Sequence, residues 1–325
     1  MLWIIRYHSE EMASQANQAL PAGTRLENYR IQRTLASGGF SIVYLAHDEN
    51  ESPVVIKEYL PSTLAVRTEA GASPKVAATD LARFRYGLKC FFEEGRALAK
   101  LQHPNVVRVL NFFRANETVY LVMRYERGRS LQKHIENRKG LPDETWLRST
   151  FAQLLNGLRE VHSNKLLHLD IKPANVYLRN DGSPLLIDFG AARQTLTAEG
   201  VKLPPTYTPG FAAPEQYARK SELGPWTDIY SVGATVYSCL AGAAPQAAHL
   251  RLEKDELVPA RRAWAEEYSA VLLDIIDWCL RLDHLKRPQS VFALQKALLG
   301  EKEPEKAAAV PLLGQLREAL KLRPK

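Results

Sequence analysis

The hydrophobic rhythm of this 325-residue chain changes once, near residues 124–130, and any fold must respect that change. Before it, apolar residues come in short runs divided by turns. The stretch "YRIQRTLASGGFSIVYLAHD", from Tyr29, reads as two strands around a glycine-containing turn, and "PVVIKEYL" as a third. "VVRVLNFFRANETVYLVMRY" adds two more strands, with a polar turn at Ala115–Glu117. One helix interrupts them: Leu88, Phe91, Phe92, Ala97, Leu98 and Leu101 recur at near-helical spacing. After Gly128 the period lengthens. Phe151, Leu154, Leu155, Leu158 and Val161 form one helical stripe, and Val271, Leu272, Ile275, Ile276, Cys279 and Leu280 form another. A strand-rich part followed by a helix-rich part makes an α+β chain.

Three segments stand outside this pattern. Residues 1–23 read as a poorly ordered leader, in which Met12 is an alternative start. Residues 60–83, rich in Ala, Ser and Thr with Pro61, Gly71 and Pro74, read as an inserted loop, passive on the surface. Residues 300–325 place Leu312, Leu316 and Leu320 on one helical face, as a docked terminal helix would.

At 46% hydrophobic and 24% charged residues the chain has the composition of a soluble globular protein. Its net charge of +7 comes from Lys and Arg spread along the chain, which fits solvated faces and a few phosphate contacts and argues against a nucleic-acid groove. Cys90, Cys239 and Cys279 are far apart and have neither metal spacing nor a disulfide pattern, as in a reducing cytosol. The apolar run before Arg6 is too short for a signal peptide. Ile229–Leu250 contains Gly233, Gly242 and Pro245, so it reads as a buried helix followed by a loop, with no membrane span. The expected location is the cytoplasm.

Chemistry concentrates in "KLLHLDIKPANVYL", residues 165–178. Asp170, Lys172 and Asn175 sit there among Leu, Ile and Val, and charged groups are seldom left in such company without a role. Moving a phosphoryl group from ATP to a hydroxyl needs a cover and a cation for the phosphates, ligands for Mg²⁺, and a carboxylate to orient the attacking hydroxyl. The chain offers a candidate for each, in a consistent order.

From about Tyr29 to Leu299 that ordered set resembles a eukaryotic-type (Hanks-type) Ser/Thr protein kinase of the kind also found in bacteria. The resemblance implies a bilobal fold: a small antiparallel-strand N-lobe with one helix (24–126) and a larger, mostly helical C-lobe (127–299), with ATP and Mg²⁺ between them. "LASGGFSIVY" resembles the Gly-rich loop. Gly38 matches its second glycine, and Ala36 and Ser41 replace the first and third. Ala36, Ser37, Gly38, Gly39, Phe40 and Val43 are the implied phosphate and adenine contacts. In "VVIKEY" Lys57 matches the phosphate-contacting lysine, and Val55 stands where the family usually has Ala above the adenine. Glu94, with Glu93 as its solvent-facing neighbour, is the implied partner of Lys57. Met123 would be the gatekeeper, the backbone of Arg124, Tyr125 and Glu126 the adenine-binding hinge, and Tyr177 a further nucleotide contact.

In "HLDIKPANV" the resemblance makes Asp170 the residue that orients and accepts from the substrate hydroxyl. Lys172 neutralises the transferring group, and Asn175 binds Mg²⁺. "LLIDFG" supplies Asp188 as the second metal ligand; oxygen donors suit a hard cation. In "TYTPGFAAPEQY" Thr208 matches the residue that touches the catalytic Asp and Lys, and Glu215 pairs with Arg287. Asp228 would hold the catalytic-loop backbone. The implied partners are ATP, a protein substrate with a Ser or Thr acceptor, and a cognate phosphatase. Two rival readings are a small-molecule hydroxyl kinase, which typically lacks the "APE" segment, and a nucleotide-binding pseudokinase or scaffold, which normally lacks one of the key residues.

One departure stands out. Most of the family has Arg between the His and the Asp of this loop, a cation that an activation-segment phosphate later pairs with. Leu169 cannot do this, so activity independent of activation-segment phosphorylation is expected. Thr195, Thr197, Thr206 and Tyr207 are the candidate phosphorylation sites without that receptor.

Overall fold

Alternation along three neighbouring strands sets the layout of the first lobe in the computed structural model, which describes residues 17–68, 71–189, 207–218 and 222–300. Strands β1 (Arg25–Leu26), β2 (Tyr29–Ser37), β3 (Ser41–His47), β4 (Pro53–Tyr59), β5 (Val109–Ala115) and β6 (Thr118–Arg124) form one antiparallel sheet in the order β1-β2-β3-β4-β6-β5. The register pairs Val43 and Leu121 with Lys57, and Leu45 and Met123 with Val55, so these residues share one face. Tyr44, Ile56, Glu58, Tyr120 and Val122 share the other. Helix α1 (Leu81–Leu98) crosses the first face. It lies close because Gly87 and Gly95 carry no side chain: a Cβ would stand 1.9 Å from the Tyr59 hydroxyl oxygen at Gly87 and 2.9 Å from Leu121 Cδ1 at Gly95.

The β5–β6 turn has positive φ at both central residues, Asn116 (49°) and Glu117 (57°). Such turns favour Asn-Gly, because a side chain at the second position meets its own backbone. Glu117→Gly should therefore stabilise the protein by about 0.5–1 kcal/mol, read as a higher thermal-melt midpoint.

Two sequence expectations need correction on the second face. Residues 17–23 are not the end of a disordered leader: Asn17 and Leu20 are buried, and the Leu20 amide donates to the Tyr44 hydroxyl at 3.1 Å. Residues 60–83 are not a passive surface loop either. Leu60, Ala65 and Arg67 are buried, Val66 bridges to Lys75, and α1 takes over from Leu81. The physical reason is Glu58. The pleat points it away from the cleft, and burying a carboxylate there requires a cation, which Arg67 supplies.

The second lobe starts with β7 (Gly128–Ser130), α2 (Leu131–Asn137) and α3 (Glu144–Ser163). Asp143 caps α3 by accepting from the Trp146 amide at 2.9 Å, and the predicted stripe from Phe151 to Val161 is buried. A short 3₁₀ turn at Pro173–Asn175 leads into β8 (Val176–Arg179) and then β9 (Pro184–Leu186); β8 pairs with β7 on one side and β9 on the other, making a three-stranded sheet. Helices α4 (Pro214–Tyr217), α5 (Pro225–Ala241), α6 (Ala248–Glu253), α7 (Ala260–Ala263), α8 (Ala270–Cys279) and α9 (Val291–Leu298) complete it. Helix α5 is the buried axis, and α8 packs on it through Leu272, Ile276 and Cys279. Val271, placed in that stripe by spacing, faces solvent at the stripe's edge. Among the described residues no helix is long and apolar enough to cross a membrane. The tail stripe at Leu312, Leu316 and Leu320 lies outside the described residues.

Candidate active site

The loop between α3 and β8 is held from below by one carboxylate. Asp228, in the first turn of α5, is fully buried. Its Oδ1 accepts from the Leu169 amide at 2.7 Å, and its Oδ2 accepts from the His168 amide at 2.9 Å and contacts His162 Nε2 at 2.7 Å. Burial alone would raise its pKa. The hydrogen bond and charge of His162, with help from His168, outweigh burial and hold it below the usual carboxylate range. These bonds maintain a strained backbone: Leu169 has φ of 63°, a conformation that costs a non-glycine residue about 1–3 kcal/mol. His168 fastens the loop sideways. Its Nδ1 accepts from the Asp170 amide at 3.3 Å and its Nε2 reaches the Ile187 carbonyl at 3.2 Å.

On this frame Asp170, Lys172, Asn175 and Thr208 converge. The Thr208 hydroxyl donates to Asp170 Oδ1 at 2.8 Å and accepts from Lys172 Nζ at 2.7 Å, and Lys172 also pairs with Asp170 Oδ2 at 2.8 Å. Asn175 Nδ2 donates to Asp170 Oδ2 at 2.9 Å and to the Asp170 carbonyl at 2.8 Å. With the amide nitrogen so used, the carboxamide oxygen is the atom Asn175 can offer to a cation.

Lys57 and Glu94 are both buried, Lys57 on β4 and Glu94 on α1, whereas Glu93 pairs with Arg96 at the surface. The salt bridge of Lys57 is to Asp188 rather than to the predicted Glu94, and Lys57 Nζ also lies 5.8 Å from the centre of the Phe91 ring. Asp188 follows β9 with φ of 61°, which turns its carboxylate out of the strand and into the cleft. Among the described residues no cluster of three or more His, Cys, Asp or Glu forms a metal cage. The oxygen donors of Asp188 and Asn175 fit a Mg²⁺ that keeps water and phosphate ligands, since that ion seldom takes an all-protein cage.

The residues expected to contact nucleotide are assembled by the sheet. Val43, Val55 and Met123 share the Lys57 face. Ala36–Phe40 joins β2 to β3 above it. Arg124 spends its amide on the Arg108 carbonyl at 2.9 Å, so only its carbonyl remains for a hinge contact. Tyr125 and Glu126 follow β6 directly, and the Glu126 carbonyl accepts from the Tyr177 hydroxyl at 3.4 Å.

Beyond Thr208, Glu215 and Arg287 form a two-pronged pair at 2.8 and 3.0 Å. Thr195, Thr197 and Thr206 lie outside the described residues; the Tyr207 ring packs at a tilt of 52° against Tyr217, with ring centres 4.3 Å apart. Two supporting residues were not singled out from sequence. Gln216 Nε2 donates to the Leu169 carbonyl at 2.9 Å, and His162 braces Asp228. Gln216 stands one residue after Glu215, and that adjacency was its signal; His162 lies at the end of an apolar stripe and gave none.

A family model described as protein kinase domain matches residues 29–299. Serine/threonine-protein kinase C of Synechocystis sp. is 30% identical over 286 residues, covering 84% of this chain and 49% of that protein. Serine/threonine-protein kinase PknA of Nostoc sp. is 30% identical over 259 residues, covering 77% and 43%. Among solved structures, the apo form of PpkA-294 matches with a TM-score of 0.75 at 32% identity, over 86% of this chain and 99% of that one. The PknI kinase domain of Mycobacterium tuberculosis shares the fold, with a TM-score of 0.65 at 22% identity over 88% and 100%. The chain spans about half the length of the curated relatives it matches.

Proposed function

The chain belongs to the protein kinase domain family, a Hanks-type kinase with bacterial relatives, and from that premise we propose that it transfers the γ-phosphoryl group of ATP to Ser or Thr hydroxyls of a protein. The observation that carries this reading is the closed tie of Asp170, Lys172 and Thr208. Asp170 is aimed by donors on both oxygens, so its free lone pairs can orient a substrate hydroxyl and accept its proton. Lys172 is placed to neutralise the oxygens of the migrating group. Lys57 is the candidate phosphate grip, moving from Asp188 to nucleotide, with Glu94 as the acid that would then receive it. Asn175 and Asp188 are the candidate Mg²⁺ ligands. Held by those oxygen donors, Mg²⁺ would supply positive charge to offset the charge that develops in the transfer. The loop Ala36–Phe40 with Val43, and the pocket of Val55, Met123, Arg124–Glu126 and Tyr177, would cover and seat the nucleotide.

The test is transfer from labelled ATP with Mg²⁺ to a generic acidic protein substrate, with labelled sites mapped by mass spectrometry. Label on Ser or Thr is expected. Nucleotide binding without label would instead support a scaffold, and label on a small hydroxylated metabolite alone would support a small-molecule kinase.

Leu169 supports competence without activation-segment phosphate. It is 1% exposed and packs with Leu167 and Leu223 where most of the family has a cation. The segment is fastened by Gln216 to Leu169, Glu215 to Arg287 and Thr208 to Asp170, none of which involves a phosphate. Replacing Thr195, Thr197 and Thr206 by Val and Tyr207 by Phe should leave the transfer rate near wild type. Abolished transfer in a folded variant would refute the idea.

A further inference from the structure

The segment following β4 does more than fill space: it grips the tip of the Gly-rich loop. The Leu60 amide donates to the Phe40 carbonyl at 3.0 Å. The Ser62 amide donates to the Gly39 carbonyl at 2.8 Å, and the Ser62 hydroxyl reaches the same carbonyl at 3.2 Å. The β3–β4 pairing thus continues past the last strand residue onto the loop itself.

That grip is locked from behind. Asn17 Nδ2 donates to the Ala65 carbonyl at 3.1 Å and the Leu60 carbonyl at 3.4 Å, and its Oδ1 accepts from the Arg67 amide at 2.7 Å. Arg67 is 2% exposed and places all five guanidinium hydrogens. Nε donates to the Gln18 carbonyl at 2.7 Å. Nη1 reaches Glu58 Oε1 at 2.5 Å and the Ala72 carbonyl at 3.4 Å. Nη2 reaches Glu58 Oε2 at 2.8 Å and the Tyr44 hydroxyl at 2.9 Å. Tyr44 and Tyr120 also donate to Glu58, each at 2.7 Å. A buried ion pair satisfied this completely defines one geometry rather than an ensemble.

Building on the kinase reading above, we propose that Asn17 and Arg67 are positioning residues for nucleotide phosphate: they lock residues 60–67 into a brace that holds the Gly-rich loop from its tip. The brace answers a defect in the loop. With Ala36 and Ser41 in place of glycines, fewer backbone conformations are open to it. A loop that cannot adapt to phosphate must be set in place beforehand, because pre-organisation cuts the ordering cost of binding. Residues 17–20 form the strap of this device, and they precede the first strand.

The experiment is equilibrium binding of ADP–Mg²⁺ and, separately, of adenosine to the full chain, comparing wild type, Asn17→Ala and Arg67→Met. Asn17→Ala loses only a neutral side chain and should stay folded even where Arg67→Met does not. ADP–Mg²⁺ affinity should fall about 3- to 10-fold, as expected for loss of one or two phosphate hydrogen bonds, while adenosine affinity stays near wild type. Amide exchange at Leu60 and Ser62 should quicken in the same variant. A merely structural role would lower the melting temperature and leave the ADP-to-adenosine ratio unchanged; that result, or equal loss for both ligands, would overturn the brace. Wild-type protein binding neither ligand would overturn the kinase reading itself, an outcome distinct from the other two.

Discussion

Asp170→Asn is expected to lower the rate of phosphoryl transfer roughly 10³-fold, within the range for removing a general base. Nucleotide affinity and the melting temperature should stay close to wild type. The argument rests on which atoms the new carboxamide can satisfy. Asp170 Oδ2 faces two donors that cannot accept, Lys172 Nζ at 2.8 Å and Asn175 Nδ2 at 2.9 Å. The carboxamide oxygen must therefore take that side, and the new NH₂ falls opposite Thr208. A hydroxyl can accept as well as donate, so the Thr208 contact survives with its direction reversed. Geometry is kept while the negative charge and the proton acceptor are lost. Steady-state kinetics beside nucleotide binding checks this. A variant retaining a tenth or more of wild-type activity would remove Asp170 from the reaction.

The loop that carries Asp170 was legible in sequence because its chemistry-bearing residues lie within a few positions of one another. Asp170, Lys172 and Asn175 sit on a loop and one 3₁₀ turn, and local spacing alone brings them together. The strand pattern was legible for the same reason: the break at Ala115–Glu117 is local and produces the β5–β6 turn. What escaped reading depends on distant partners. Residues 60–76 have the composition of a loop, and a single Arg gives no periodicity. Its role appears only when Gln18, 49 positions earlier in the chain, and Glu58 are seen around it. The strap at Asn17–Leu20 was hidden because two buried residues before the first strand make no pattern. Lys57 escaped for another reason. Its choice between Glu94 and Asp188 is conformational, since Asp188 reaches it through a left-handed backbone that side-chain identity does not announce.

Arg287→Met is expected to destabilise the protein by about 3–5 kcal/mol, seen as a melting temperature lowered by roughly 10 °C. Arg287 is enclosed in the second lobe, and each guanidinium hydrogen has an acceptor. Nη1 reaches Glu215 Oε1 at 2.8 Å and the Trp226 carbonyl at 3.1 Å. Nη2 reaches Glu215 Oε2 at 3.0 Å and the Leu282 carbonyl at 3.0 Å, and Nε the Arg281 carbonyl at 2.6 Å. The guanidinium also lies 4.9 Å from the centre of the Tyr230 ring. Methionine fills similar volume but takes the charged fork away from the buried Glu215 carboxylate, whose Oε1 keeps the neutral Thr227 hydroxyl at 2.9 Å. Lysine would not rescue it, since three donors on a point charge cannot serve five acceptors set in a plane. Transfer should fall as well. Glu215 anchors the stretch that begins at Thr208, and a loosened stretch takes the Thr208 hydroxyl away from Asp170 and Lys172. Pairing Arg287→Met with Glu215→Gln separates these effects. The double variant should regain part of the lost stability, because the buried carboxylate that lost its guanidinium fork is no longer charged, yet transfer should stay low because the fork that anchors Thr208 is still missing. Equal recovery of stability and transfer would show that Glu215 and Arg287 act on folding alone.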